Sequence, residues 1–256
     1  MESPTYLHAG KVINSRYRLI TPIGSGTLAQ VFLADDIRVR KQTIVKVFDA
    51  PFRSGNEVED DFQISLQDLA RTSHPNLIKI LDWGSGEISY IVTEFLAGGD
   101  LRAMLQQDAS LSVAQITLIM MEILKGTSFL HERGKVHGGL KPENVIFSLN
   151  GDLKLSDTGM GSVSAKYFSS ELVTEGPYVS PELSQGGLLS PAADVYAIAA
   201  IFKELIHTKL PESKNTAETQ EIDSELLKEL EAVFASALSA KASERPTANA
   251  LLKITS

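Results

Sequence analysis

The spacing of hydrophobic residues changes period part-way along the chain, and that change limits the folds open to it. Up to about residue 96 the apolar residues fall in short branched or aromatic runs (RYRLITPIG, AQVFLADD, QTIVKVFD, LIKILDWG and SYIVTEFL) separated by glycines or charged turns. Runs of that kind read as strands. One helix candidate interrupts them, from about Val58 to Thr72, where Glu59, Asp60 and Asp61 suit the positive end of a helix dipole. From Gly98 onward the spacing becomes three and four: Ile116, Ile119, Ile123, Thr127 and Leu130, then Val195, Ile198, Phe202 and Leu205. Between those helices lie two short strand–turn pieces, NVIFSLNGDLKL and the segment before Ser180. The expected architecture is α+β: a small β-rich lobe with one helix over 17–96, and a larger, mainly α-helical lobe over 97–256. Residues 1–16, polar with one proline, read as a lead-in outside the core.

Composition narrows the function classes. The 256 residues contain no cysteine, which excludes a disulfide framework, a thiolate zinc site and a thiol nucleophile. The net charge of −8 opposes binding to a nucleic-acid backbone, so no nucleic-acid partner is expected. No 18-residue apolar run stands out as a membrane span, and MESPTYLHAG lacks the pattern of a signal peptide. A cytoplasmic chain with no membrane segment is the expectation.

Local motifs then follow one another along the chain. Ile23-Gly24-Ser25-Gly26, followed by Val31, forms a glycine-rich strand turn, and Lys46 lies on the third strand run, twenty residues past Gly26. His74-Pro75-Asn76 follows the candidate helix, and Glu94-Phe95-Leu96, preceded by Thr93, closes the β-rich part. His137 to Asn144 reads HGGLKPEN, with Asp157-Thr158-Gly159 thirteen residues after Asn144. Ser180-Pro181-Glu182, Asp194 and Arg245-Pro246-Thr247 complete the series. In this order and spacing the set resembles the eukaryotic-like (Hanks-type) Ser/Thr protein kinase family found in bacteria, over residues 17–252.

The resemblance implies a site for Mg-ATP. Ile23, Gly24, Gly26, Val31, Ile44, Lys46, Glu94 and Leu96 match the nucleotide-binding positions, and Asn144 and Asp157 the metal ligands, whose oxygens suit magnesium. It also exposes departures. The helix glutamate that aims the lysine corresponds to Ser65, with Asp61 and Asp68 one turn away on either side. The arginine and aspartate after the catalytic-loop histidine are Gly138 and Gly139. Glycine offers no proton acceptor, and a general base is worth roughly 10² to 10⁴ in rate. Glu143 is near, but its family counterpart faces the peptide substrate. Thr158 replaces a phenylalanine, Glu175 a threonine, Ala29 the third glycine, and Ile44 an alanine that lies against the adenine. ATP and magnesium binding are thus left open, from weak to absent.

The framework positions match better. Glu182 and Arg245 correspond to a buried ion pair, and Asp194 to the residue that tethers the catalytic-loop backbone. The polar stretch between Pro211 and Ser224 suggests a shortened substrate-docking helix, followed by a helix from Glu225 to about Ser239. Met160 to Val179 holds Ser162, Ser164, Ser169, Ser170 and Thr174, either a solvated loop or targets of another kinase. His131-Glu132 reads as a surface pair, Trp83 as a packing residue, and Arg38, Arg40 and Lys41 as a solvated turn. With no catalytic residue assigned, the leading expectation is a pseudokinase that binds another protein, such as an active kinase or a signalling complex. The alternative is an enzyme, either a weak Ser/Thr kinase or a nucleotidyl transferase using Mg-ATP.

Overall fold

The computed structural model describes residues 7–25, 29–48, 64, 66–84, 88–159, 176–210 and 217–255, with side-chain detail in the last segment from residue 225. The chain forms two compact units. One holds the residues up to Ser73 together with Ile78–Phe95, the other His74–Leu77 together with everything from Leu96.

The small unit is built on a six-stranded antiparallel sheet: β1 (Val12–Ile13), β2 (Tyr17–Ser25), β3 (Ala29–Asp36), β4 (Lys41–Phe48), β5 (Ile80–Gly84) and β6 (Ser89–Glu94), in the order β1-β2-β3-β4-β6-β5. Residues directly opposite one another across an antiparallel ladder share a face. The rows Phe32–Val45–Val92 and Gln30–Val47–Tyr90 therefore present one face, which packs with Ile13, Tyr17, Leu19 and Ala34 into the unit's core. Alternation places Gly24, Val31, Lys46 and Ile91 in one row of the other face, with Leu33, Ile44 and Thr93 in the next. Residues 12–16 are not a lead-in. Val12 and Ile13 pair with β2, Ile13 is buried, and Arg16 makes a bidentate bond to Asp36. A two-residue strand is too short to register as a periodic signal, which is why the sequence pattern hid it. Of the expected helix at 58–72, the described part is a helical stretch at Leu66–Ala70, with Leu66 fully buried; Ser65 and Asp61 lie outside the described residues.

The large unit centres on the helix Val113–His131. Ser112 caps it in a reciprocal capping box with Gln115, and Ile116, Ile119, Ile123, Thr127 and Leu130 are all buried. Contrary to the expectation that no such run is present, this helix is long and apolar enough to cross a membrane by length and composition (mean hydropathy 1.3 over 18 residues), yet 56% of that window is buried within the fold. It is the core helix around which Pro191–Lys209, Ala217–Ala237 and Ala248–Thr255 assemble, with Phe202 stacked on Phe234 at 4.3 Å. The helix expected from Glu225 begins at Ala217 instead. Its added turns are rich in Glu and Asp and free of proline and glycine, a composition suited to a helix start. A two-stranded ladder, β7 (Val145–Phe147) with β8 (Leu153–Leu155), follows the 3₁₀ turn Pro142–Asn144.

Candidate active site

The HGGLKPEN loop is held from below by one carboxylate. Asp194 lies in the first turn of the Pro191–Lys209 helix, 2% exposed. Its Oδ2 accepts the backbone N–H of His137 and its Oδ1 that of Gly138, both at 2.8 Å. The Nε2 of His131 lies 2.9 Å from the same Oδ2. His131 is therefore no surface pair with Glu132; it belongs to the anchor of this loop, and the 63 residues that separate it from Asp194 leave no local signal of that contact. Gly138 has φ +73°, in the left-handed region that favours glycine.

The β7–β8 ladder brings the two candidate metal ligands together. Val145 pairs with Leu155, so Asn144 and Ser156 stand opposite at the same end, and the N–H of Ser156 donates to the carbonyl of Asn144 at 2.8 Å. Asp157 follows directly. Asn144, 8% exposed, donates its Nδ2 to the Gly139 carbonyl at 2.7 Å, which leaves its Oδ1 as an acceptor. Asp157 has φ +59°, a conformation that an L-residue other than glycine rarely holds and one that recurs at functional sites. The N–H of Gly159 returns to the carbonyl of His137, joining the turn to the loop. Thr158 keeps its hydroxyl local, toward the Leu155 carbonyl. One carboxylate and one oriented amide oxygen fit a hard divalent cation such as magnesium.

On the small unit, Gly24, Val31, Ile44 and Lys46 share the sheet face opposite the core. Ile44 is half-buried between Leu33 and Thr93, filling a row that an alanine would leave open. Ile23 is 53% exposed. Glu94 accepts the N–H of Lys79 on its own Oε1 at 2.8 Å. Leu96 belongs to the large unit. Gly26, Ser65 and the segment 160–175 lie outside the described residues.

A cluster that sequence reading missed surrounds Glu143. Arg102 donates from Nε to Glu143 at 2.9 Å, from Nη1 to Glu204 at 2.5 Å and from Nη2 to the Tyr178 hydroxyl at 2.5 Å, while that hydroxyl donates to Glu204. Burial pushes Tyr178 up to about 12, helped by its bond to Glu204. Burial opposes the charge on Glu143, but the bond from Arg102 holds its carboxyl below the ordinary range. One oxygen of Glu143, Oε1, is thus taken by Arg102, and its buried Oε2 makes no hydrogen bond among the described residues. Lys141, one residue before the 3₁₀ turn and exposed, is a second position passed over; a lysine inside a loop motif carries no periodic signal. On the framework side, Arg245 donates from both terminal nitrogens to Glu182 at 2.7 Å, from Nη1 also to the Ala192 carbonyl and from Nε to that of Ser239, with its side chain fully buried.

A family model for the protein kinase domain matches residues 17–254. This chain belongs to the protein kinase family. It is 30% identical over 207 residues to the serine/threonine-protein kinase PrkC of Bacillus subtilis, and 33% identical over 214 residues to the probable serine/threonine-protein kinase PknB of Lactococcus lactis. Those alignments cover 79% and 80% of this chain but 32% and 34% of the relatives, so the kinase domain spans about a third of their length. Among solved structures, the kinase domain of PknI from Mycobacterium tuberculosis superposes with a TM-score of 0.72 at 21% identity, covering 97% of this chain and 98% of the other. That likeness establishes the protein kinase fold. A Cβ added at Gly139 would meet only the Asn144 Nδ2, at 3.9 Å, an ordinary contact.

Proposed function

We propose that this kinase-family chain acts as a pseudokinase, a protein-binding or regulatory module in which phosphotransfer is lost or very weak. The observation that carries the reading is Gly139: the loop framework set by Asp194 and Asn144 is kept, and the residue at the position of the proton acceptor has no side chain. Glu143 is a poor substitute, because the bond from Arg102 to its Oε1 holds the carboxyl below the ordinary range and so makes it a weaker base. Loss of a general base alone lowers turnover by roughly 10² to 10⁴. With the chemistry gone and the large-unit framework retained, the surfaces of the domain remain available to another protein, which we place in a signalling complex.

A second reading, a weak kinase or nucleotidyl transferase, draws on the strained Asp157 and the oriented Asn144. In the enzyme reading Asn144 and Asp157 would hold magnesium; on the small unit Gly24 and Lys46 would serve the nucleotide phosphates, and Val31 and Ile44 the base. The bound ion would supply neutralisation of phosphate charge. Ile44 narrows the room for that base by three carbons relative to alanine, so nucleotide affinity is expected to be low.

Thermal unfolding with and without Mg-ATP, paired with a radiolabelled phosphotransfer assay, separates the readings. A ligand at 100 times its Kd adds about 2.7 kcal/mol to folded-state stability. A pseudokinase gives no phosphotransfer above background, whatever the thermal shift. Turnover that is abolished by both Lys46→Ala and Asp157→Ala would sink the pseudokinase reading.

A further inference from the structure

The turn joining β3 to β4 has no part in the site, yet it gathers exposed aliphatic and basic side chains at one end of the sheet. Residues 37–42 are all exposed. Ile37 and Val39 show 40% and 55% of their surface to solvent, alternating with Arg38 and Arg40, and Val12 adds another aliphatic at 40%. Among the described residues no carboxylate pairs with Arg38, Arg40 or Lys41. The charge is also local: residues 7–48 carry seven Lys and Arg against two Asp, in a chain whose net charge is −8.

The turn is held in one shape from beneath. Asp36, 2% exposed, accepts two bonds from Arg16 and the backbone N–H of Arg38 at 3.0 Å. The N–H of Arg40 returns to the Asp36 carbonyl at 2.8 Å, and that of Ile37 to the carbonyl of Arg16. Arg40 has φ +54°, which a side-chain-bearing residue rarely adopts without support. Arg16 neutralises Asp36, so the buried acid shapes the turn without cancelling the cations at its tip.

We infer that this tip is a docking surface for an anionic lipid bilayer. Exposed aliphatics beside the cations favour an anionic surface with an apolar boundary over an acidic peptide, which the charges alone would recognise. Aliphatic side chains alternating with arginines match an interface where headgroups carry negative charge and the acyl boundary accepts small apolar groups. A rigid turn loses little freedom on docking, which favours a preformed surface over a flexible one.

The test is co-sedimentation of the full chain with phosphatidylglycerol/phosphatidylcholine vesicles and with pure phosphatidylcholine vesicles at low salt. The chain should bind the anionic vesicles only and be released as salt rises. Each basic residue near the surface contributes about fivefold to partitioning, so Arg38→Glu with Arg40→Glu should lower it by at least about 25-fold. Val39→Asn should lower it severalfold with every charge unchanged. Lys228→Glu with Lys253→Glu, exposed positions elsewhere, should leave it unchanged, and melting curves of all variants should match the parent. Absence of binding to anionic vesicles would overturn the proposal, as would an equal loss in the Lys228/Lys253 pair. So would a solution dimer broken by Ile37→Asp in a chain that ignores vesicles, which would make the tip a contact between copies. Binding to polyglutamate that is indifferent to Val39→Asn would assign the tip to an acidic protein instead.

Discussion

The carbonyl oxygen of Gly139 accepts the side-chain amide of Asn144 at 2.7 Å, so the HGGLKPEN loop is closed on itself through a main-chain atom. The bond uses the backbone of residue 139 and is indifferent to what that residue carries. A loop held through main-chain atoms can lose its functional side chain without losing its path.

Gly139→Asp is therefore expected to fold normally. The new Cβ meets Asn144 Nδ2 at 3.9 Å and no other atom outside the neighbouring residues within 4 Å, and the backbone at 139 is not in the left-handed region. Its melting temperature should lie within a few degrees of the parent's, since substitutions of this kind usually cost under about 1 kcal/mol. If the missing base is what limits phosphotransfer, the variant should raise it by roughly 10²-fold or more. A folded variant with no gain in a radiolabel assay would move the deficit to Ile44 or Ser65.

Asp194 should be among the least replaceable polar residues. It satisfies two buried amides and His131 at once, so Asp194→Ala leaves several groups without acceptors inside the fold. Each orphaned buried group costs about 1–3 kcal/mol. Urea unfolding should show a loss of at least about 3 kcal/mol for Asp194→Ala, and less for Asp194→Asn, which keeps one acceptor oxygen. Equal losses in the two variants would mean that packing, and not these bonds, sets the cost.

Much of this arrangement could be read from residues alone, and the failures have physical causes. The buried stripes Ile116–Leu130 and Val195–Leu205 were legible because helical packing imposes a three-and-four spacing. The loop and turn motifs were legible as a set because they follow one another in the order of the family whose model matches residues 17–254. The His131–Asp194 contact and the Arg102–Glu143–Glu204–Tyr178 cluster were not, since their members lie 26 to 102 residues apart and use ordinary residue types. Val12–Ile13 was missed because two residues of strand leave no alternation to detect.

Gly98 is a steric prediction. A Cβ there would sit 2.4 Å from the Ser148 carbonyl oxygen and 2.6 Å from that of Phe147, both main-chain atoms that cannot rotate away. The N–H of Gly98 also bonds to Phe147, and that of Phe147 to Gly99, so the two segments are laced together. Gly98→Ala should destabilise the chain by about 1–3 kcal/mol, read as a lower urea midpoint, the usual cost of forcing extra volume into a packed contact. Gly99→Ala is the control. It has open space around the Cβ but φ +80°, so its smaller cost comes from the backbone alone. A Gly98→Ala chain as stable as the parent would contradict the close approach.

The ion pair between Glu182 and Arg245 should make stability depend on acid. Its hydrogen bonds from Arg245 hold the Glu182 carboxyl below the ordinary glutamate range, against the opposing effect of burial. A folded-state value below the unfolded one means that the unfolded chain binds more protons in that interval. The pair's contribution is then fully present above the unfolded value, near pH ~4.3, and is lost as pH falls through the lower folded value. Glu182→Gln removes the titrating group while leaving the buried Arg245 charge without its partner, so at neutral pH the variant should be less stable by about 3 kcal/mol. As pH falls below ~4, the parent should lose stability faster than the variant, and the gap between their melting temperatures should narrow. Melting curves taken from neutral pH down to that range decide it: a gap that stays constant throughout would show that Glu182 contributes packing rather than charge.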